Sequence, residues 1–229
     1  MIAPKHAMLM EQKQMSIFLD SAIIAEAEAV REFGWVKGIT TNPTLLAKTD
    51  LPVPTTLKRL AELTAGDVFY QVMSSEFKEM IAEGRAAFDI IGSQTILKIP
   101  ASSLGFQVVS YLLGEIRCSV TGIYSPAQAV IAAEAGAVHA IAYVNRASKL
   151  LGDGVALVRD MASVVKGSNT EIMAASIKSP QEGVASIQAG AQHLTLPLAM
   201  LQAMTTHELS LSTFDEFNKN GRGILETFL

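Results

Sequence analysis

The sharpest candidate for covalent chemistry in this sequence is a lysine inside an apolar run. Lys98 sits in Ile96-Leu97-Lys98-Ile99-Pro100, where a charged ammonium is costly to bury. Desolvation favours the neutral amine, the form that attacks a carbonyl to make a Schiff base. The same residue could instead snorkel at a strand edge or pair with a buried carboxylate. Other polar residues recur at the ends of short apolar runs. Asp20 closes Ser16–Asp20, as an acid/base or as the N-cap of the next helix. Thr41-Asn42-Pro43 follows the second run and also reads as turn chemistry. Gln71 lies among Val68, Phe69, Val72 and Met73, where a buried amide needs partners. Thr121 ends the fifth run, Tyr143 with Asn145 and Arg146 the sixth, and Ser176 with Lys178 the seventh. Arg146 and Lys178 could bind an anion or be solvated loop cations.

The elements that must position these residues alternate regularly. Short apolar runs are read at Ser16–Asp20, Val36–Thr40, Asp67–Met73, Thr95–Ile99, Arg117–Gly122, Ala140–Val144, Glu171–Ser176 and His193–Leu196. Helical patterns lie between them, including a single helix over Lys149–Lys166 and a last one from Pro197. Nearly continuous apolar runs are how strands covered on both faces read. Alternation with helices implies right-handed βαβ units and a parallel sheet. Eight units at this length predict a (β/α)₈ TIM barrel over residues 16–204, with an open Rossmann-type sheet as the other arrangement. Against the latter, no G-x-G-x-x-G follows the first strand and no Walker A pattern occurs. In a barrel, the polar strand ends gather at one mouth.

Residues 1–15 form an N-terminal extension outside the units. Residues 205–229 form an extra C-terminal helix and tail with Leu209, Leu211, Phe214, Phe217, Ile224, Leu225 and Phe228 as apolar anchors. These could pack on their own domain, over the barrel mouth, or on another subunit.

Composition bounds the partners. The chain has 18 Lys+Arg against 22 Asp+Glu and a formal net charge of -4, so nucleic acid is not expected as a partner. Hydrophobic residues make up 49% and charged ones 17%, which excludes a mainly disordered chain. No apolar stretch reaches the roughly 18 residues of a membrane span, and the N-terminus lacks a signal-peptide run. Cys118 is the single cysteine, so the expectation is a soluble, reduced, cytoplasmic enzyme. His6, His139, His193 and His207 show no HExxH or close paired spacing, so no metal site is expected. His139 and His193 precede strands six and eight, at the end away from the chemistry, and are read as structural.

Phe18-Leu19-Asp20, Gly38-Ile39-Thr40-Thr41-Asn42-Pro43-Thr44, Leu97-Lys98-Ile99-Pro100, Thr121, Tyr143-Val144-Asn145-Arg146 and Ala174-Ala175-Ser176 together resemble the transaldolase family. The pattern is most similar to the short branch that includes fructose-6-phosphate aldolase, and it runs from about Ser16 to the C-terminus. The resemblance implies a barrel with the Schiff-base lysine on strand four, at Lys98. It implies that Asp20 is the acid/base near the cleaved carbon–carbon bond. Asn42 and Ser176 would hold hydroxyls of a dihydroxyacetone unit, and Gln71, Thr121 and Tyr143 would position the catalytic water. Arg146, with Ser176 and Lys178, matches the site for the distal phosphate. It further implies no metal or organic cofactor, a place in carbohydrate metabolism such as the pentose phosphate pathway, and a large homo-oligomer, up to a decamer.

The sequence departs from the family at several positions. Long transaldolases carry Glu at the position of Gln71 and Phe at that of Tyr143, so both positions lean towards aldolase. Ser119 stands where the long members have Asn, and Ile141-Ala142 replaces a small residue followed by Pro. These changes surround the donor and water sites, while the stretch after Arg146 departs at the acceptor end, where a sulfonated sugar would fit the same cations. The expected activity is aldol cleavage of a ketose phosphate such as fructose 6-phosphate. The alternatives are transfer of the dihydroxyacetone unit between aldoses, or a phosphosugar-binding barrel without catalysis.

Overall fold

Residues 15–224 are described by a computed structural model of the chain. Eight parallel strands close into a barrel in sequence order: β1 Ser16–Asp20, β2 Val36–Thr40, β3 Asp67–Gln71, β4 Thr95–Pro100, β5 Cys118–Ile123, β6 His139–Tyr143, β7 Glu171–Ala175 and β8 His193–Leu196. The β1–β8 pairing closes the ring through Ser16↔His193 to Leu19↔Leu196. The helices are α1 Ile24–Arg31, α2 Pro43–Leu46, α3 Val53–Leu63, α4 Phe77–Ile91, α5 Ser103–Leu112, α6 Pro126–Glu134, α7 Val144–Leu151, α8 Gly154–Val164, α9 Pro180–Gln188, α10 Leu198–Met204 and α11 Glu208–Asn220. The fold is a (β/α)₈ barrel with an added C-terminal helix. None of the described helices is long and apolar enough to cross a membrane.

The strands are apolar on both faces because each face has its own core. Outward residues such as Leu19, Ile39, Val68, Leu97, Val120, Ala140, Ile172 and Leu194 form one cluster with the helices. Inside the barrel, Phe18, Phe69, Ile96, Ile141, Met173 and Ala175 form a second, smaller cluster. With a strand period of two, the residue two places on from each interior apolar one also faces inward. That places Asp20 above Phe18, Gln71 above Phe69, Lys98 above Ile96 and Tyr143 above Ile141. A plug of apolar side chains thus carries a polar layer at the C-terminal mouth.

Helix starts are written locally. Asn42, Ser102, Ser125, Asp153 and Ser179 each accept a hydrogen bond from the backbone N–H three residues on, a cap worth about 1 kcal/mol. Proline fills the first turn after Asn42, Ser125 and Ser179, where its missing N–H costs nothing. Gly105 is required by contact: a Cβ there would stand 2.1 Å from the Pro100 carbonyl oxygen. This close approach seats α5 against the end of the strand that carries Lys98.

Two readings of the sequence are corrected, and one of the alternatives left open for the C-terminal helix is not seen. The helix expected over Lys149–Lys166 is two helices, α7 and α8, broken at Gly152, whose φ of 97° is left-handed. Asn145 and Arg146, expected at the end of strand six, lie in the first turn of α7, because the strand stops at Tyr143. Packing of the C-terminal helix on its own domain is not seen: α11 buries none of its residues, and Leu209, Phe214 and Phe217 are 71%, 63% and 68% exposed. The anchors Leu225 and Phe228, and residues 1–14 of the N-terminal extension, lie outside the described residues.

Candidate active site

A pocket of about 560 Å³ opens at the C-terminal mouth of the barrel. Its lining includes Asp20, Asn42, Gln71, Lys98, Thr121, Tyr143, Arg146, Ser176 and Lys178. Nine of the residues singled out by the sequence therefore face one space, contributed by seven strand ends, while Thr41 and Asn145 do not line it.

Lys98 is 3% exposed, and its Nζ donates to the Thr41 carbonyl oxygen at 2.8 Å. No ion pair to Lys98 occurs among the described residues. Neither structural alternative for this lysine applies among the described residues: it does not snorkel to solvent, and no described carboxylate neutralises it. Thr41 is held in turn, its hydroxyl donating to the Phe69 carbonyl oxygen at 2.7 Å. The amine is thus fixed through β2 and β3 at the base of the pocket.

Asp20 is oriented by a chain of hydroxyls. Thr40 Oγ1 donates to Asp20 Oδ1 at 2.9 Å and shares a hydrogen bond with Thr195 Oγ1. Thr40 and Thr195 are both buried and were not singled out from the sequence. Their signal was present: each faces inward, Thr40 at the end of β2 and Thr195 two residues after His193. Asp20 does not cap a helix; the residue preceding α1 is Ile23, whose side chain makes no cap. Asn42 does cap α2, its Oδ1 accepting from Leu45 N–H at 3.0 Å, so its NH₂ group remains as a donor.

Gln71 lies in register with Lys98 on the neighbouring strand, and its Oε1 is buried without a hydrogen-bond partner. A buried amide oxygen without a partner is uncommon and costs roughly 1–3 kcal/mol, so this atom suits a donor such as water. Across the pocket, Thr121 Oγ1 donates to Tyr143 OH at 3.0 Å. The Tyr143 hydroxyl hydrogen remains available to a third group.

The cations stand at the rim. The Arg146 guanidinium carbon lies 5.1 Å from the centre of the Tyr143 ring, a cation–π distance. Arg146 and Lys178 are exposed, and neither forms an ion pair among the described residues. Ser176, on the same pocket lining, adopts φ 61°, the single left-handed non-glycine residue among those described. Such a backbone costs of order 1 kcal/mol or more; here the Ser176 carbonyl accepts from Asn145 N–H at 3.2 Å. Glu182 ties the same corner, accepting from Lys178 N–H at 2.7 Å and from Asn145 Nδ2 at 3.3 Å.

Two departures noted in the sequence sit deeper than the pocket. Ser119 is fully buried, and its Oγ lies 2.9 Å from His139 Nδ1. Ile141 belongs to the apolar plug beneath Tyr143. Neither lines the pocket.

Residues 17–226 match the family described as transaldolase/fructose-6-phosphate aldolase. A probable transaldolase of Hydrogenobaculum sp. (strain Y04AAS1) is 36% identical over 209 residues, covering 90% of this chain and 96% of that protein. A probable transaldolase of Aquifex aeolicus (strain VF5) is 33% identical over 215 residues, covering 93% and 99%. Among solved structures, a mandelate oxidase superposes with a TM-score of 0.59 at 15% identity, covering 89% of this chain and 71% of that one. That likeness shows the barrel fold alone.

Proposed function

The chain belongs to the transaldolase/fructose-6-phosphate aldolase family, an enzyme family of the Schiff-base aldolase type, and on that premise we propose that it cleaves a ketose phosphate such as fructose 6-phosphate through an imine on Lys98. The observation that carries this reading is the buried Lys98 amine, bonded to a carbonyl and unpaired with any described carboxylate, at the base of an open pocket. A nucleophilic amine needs both access and freedom from a neutralising partner.

In the proposed reaction Lys98 attacks the ketose C2 and water leaves, giving a protonated imine. Asp20, oriented by Thr40, accepts the proton of the C4 hydroxyl as the C3–C4 bond breaks. The bonding pair passes into the imine to form an enamine, and an aldehyde leaves. Asn42 and Ser176 hold hydroxyls of the three-carbon unit. A water between Gln71 Oε1 and the Thr121–Tyr143 pair gives its proton to the enamine carbon, and hydrolysis releases dihydroxyacetone. Arg146 and Lys178 bind the distal anion, phosphate or sulfonate, by charge-assisted hydrogen bonds.

Release of free dihydroxyacetone is the main outcome in this reading, and transfer to an aldose phosphate the minor one. The neutral Gln71 amide and the Tyr143 phenol support release; the names of the relatives, probable transaldolases, favour the second reading, transfer. Assay of fructose 6-phosphate with and without erythrose 4-phosphate separates them. Free dihydroxyacetone formed without acceptor supports the first; turnover seen only with acceptor establishes the second.

We also read α11 as a contact between copies of this chain in a large homo-oligomer, up to a decamer. An exposed apolar face formed by Leu209, Phe214 and Phe217 supports this reading. Residues 16–204 would then be the catalytic barrel and 205–229 its assembly element.

A further inference from the structure

At the opposite mouth of the barrel, three strands begin with a residue that can ligate a metal. His139 opens β6, Glu171 opens β7 and His193 opens β8. We propose that His139, Glu171 and His193 form a binding site for a divalent transition-metal ion of the zinc class, separate from the sugar-binding pocket.

One ligand atom from each residue lies within 4.8 Å of the other two, and His193 Nε2 stands 2.8 Å from Glu171 Oε2. With bonds of about 2.0–2.2 Å, a tetrahedral ion holds its ligands roughly 3.3–3.5 Å apart. The widest pair therefore closes by at most about 1.5 Å, within reach of small side-chain rotations. Two imidazoles and a carboxylate are a zinc donor set, leaving a fourth position for water.

The donors are also held in position. His193 is 5% exposed, and it is Nε2 of its ring that faces the Glu171 carboxylate. His139 is 7% exposed, and Ser119 Oγ lies against its Nδ1. With Nδ1–H donating to that hydroxyl, the Nε2 lone pair is left for a cation, as outer hydrogen bonds orient metal-bound histidines elsewhere. The two rings pack edge-to-face at 5.1 Å, and Phe18 and Phe69 close over them at 5.9 and 5.5 Å. Those phenylalanines belong to the apolar plug, which keeps this site apart from Lys98. The nearby Arg117 guanidinium is engaged by Asp67 at 2.6 Å. An ion here would staple β6, β7 and β8 at the end away from catalysis.

The test uses the untagged full-length chain, stripped with chelator and titrated with zinc or cobalt(II) against a competing dye. The expected result is one ion per chain, with the melting temperature rising as free zinc rises. His139→Gln and His193→Gln should each weaken binding by about 100-fold or more, while Lys98→Met leaves it unchanged. X-ray absorption of the wild-type zinc complex, which needs no variant to fold, should show two imidazole ligands. No uptake by the folded wild type, a complex with fewer than two imidazoles, or unchanged uptake by the two histidine variants would overturn the proposal.

Discussion

Thr121 donates its hydroxyl hydrogen to the phenolic oxygen of Tyr143 at 3.0 Å, so the phenol's own hydrogen is available to a group other than Thr121. A phenylalanine at this position would leave the Thr121 hydroxyl without that acceptor and remove one donor from the proposed water site. Proton delivery to the enamine is the step affected, because general acid–base groups commonly contribute 10²-fold or more. Tyr143→Phe should slow dihydroxyacetone release by roughly tenfold or more and raise the ratio of transfer to release. A ratio unchanged from wild type would remove Tyr143 from the water site.

Arg146 tests the anion end. Hydrogen bonds to a charged group contribute about 1.5–3 kcal/mol, so Arg146→Ala should raise KM for anionic substrates roughly 10- to 100-fold. Uncharged donors such as dihydroxyacetone should be affected about twofold or less, since they lack the group that Arg146 meets. Equal losses on both kinds of substrate would make Arg146 a structural residue, through its stacking on Tyr143.

The loop after β3 depends on a carboxylate. Glu83 accepts from Tyr70 OH at 2.7 Å, from Met73 N–H at 3.0 Å and from Ser74 N–H at 2.8 Å. Burial opposes its ionisation, but the bonds from Ser74, Tyr70 and Met73 outweigh burial and hold its pKa below the usual 4.5. Burial first, then Glu83 itself, pushes the Tyr70 phenol well above its ordinary value. A depressed carboxylate pKa gives stability that is present above the unfolded value and lost as pH falls through the folded one. Glu83→Gln should therefore cost about 1 kcal/mol at pH 7, a fall of roughly 2–4 °C. The difference from wild type should shrink as pH drops below about 4.5. Calorimetric melts across that range check it, and a constant difference would mean the charge on Glu83 contributes nothing.

The exposed face of α11 predicts self-association. Light scattering at micromolar concentration should give a mass several times that of one chain. Replacing Phe214 and Phe217 together by Asp should reduce it, since each buried aromatic contributes roughly 1.5–3 kcal/mol. A monomeric wild-type mass would contradict the reading.

The barrel was legible because its strands are apolar on both faces and its helices begin with capping serines and prolines. Lys98, Asp20 and Gln71 were legible for a related reason, as polar residues interrupting those runs. The break between α7 and α8 was also written, in Gly152-Asp153-Gly154, a left-handed stop followed by an N-cap. It was obscured by apolar residues on both sides. The apposition of Ser119, His139, Glu171 and His193 was not legible. Those residues span 75 positions in sequence, 119 to 193, and meet only through the registers Ser119↔His139 and His139↔Glu171 and the β7–β8 pairing. Pairwise spacing along a chain carries no information about neighbouring parallel strands. For α11 the sequence shows anchors, and the described fold of the chain leaves them exposed.

The proposed reaction depends above all on a covalent bond between Lys98 and a ketose carbonyl. Incubation with fructose 6-phosphate or dihydroxyacetone, borohydride reduction and peptide mass analysis tests it in one measurement. A reduced adduct is expected on the peptide containing Lys98 and none in Lys98→Met, which keeps most of the apolar stem and should fold. An adduct that persists unchanged in Lys98→Met, or catalytic turnover by that variant at the wild-type rate, would contradict it.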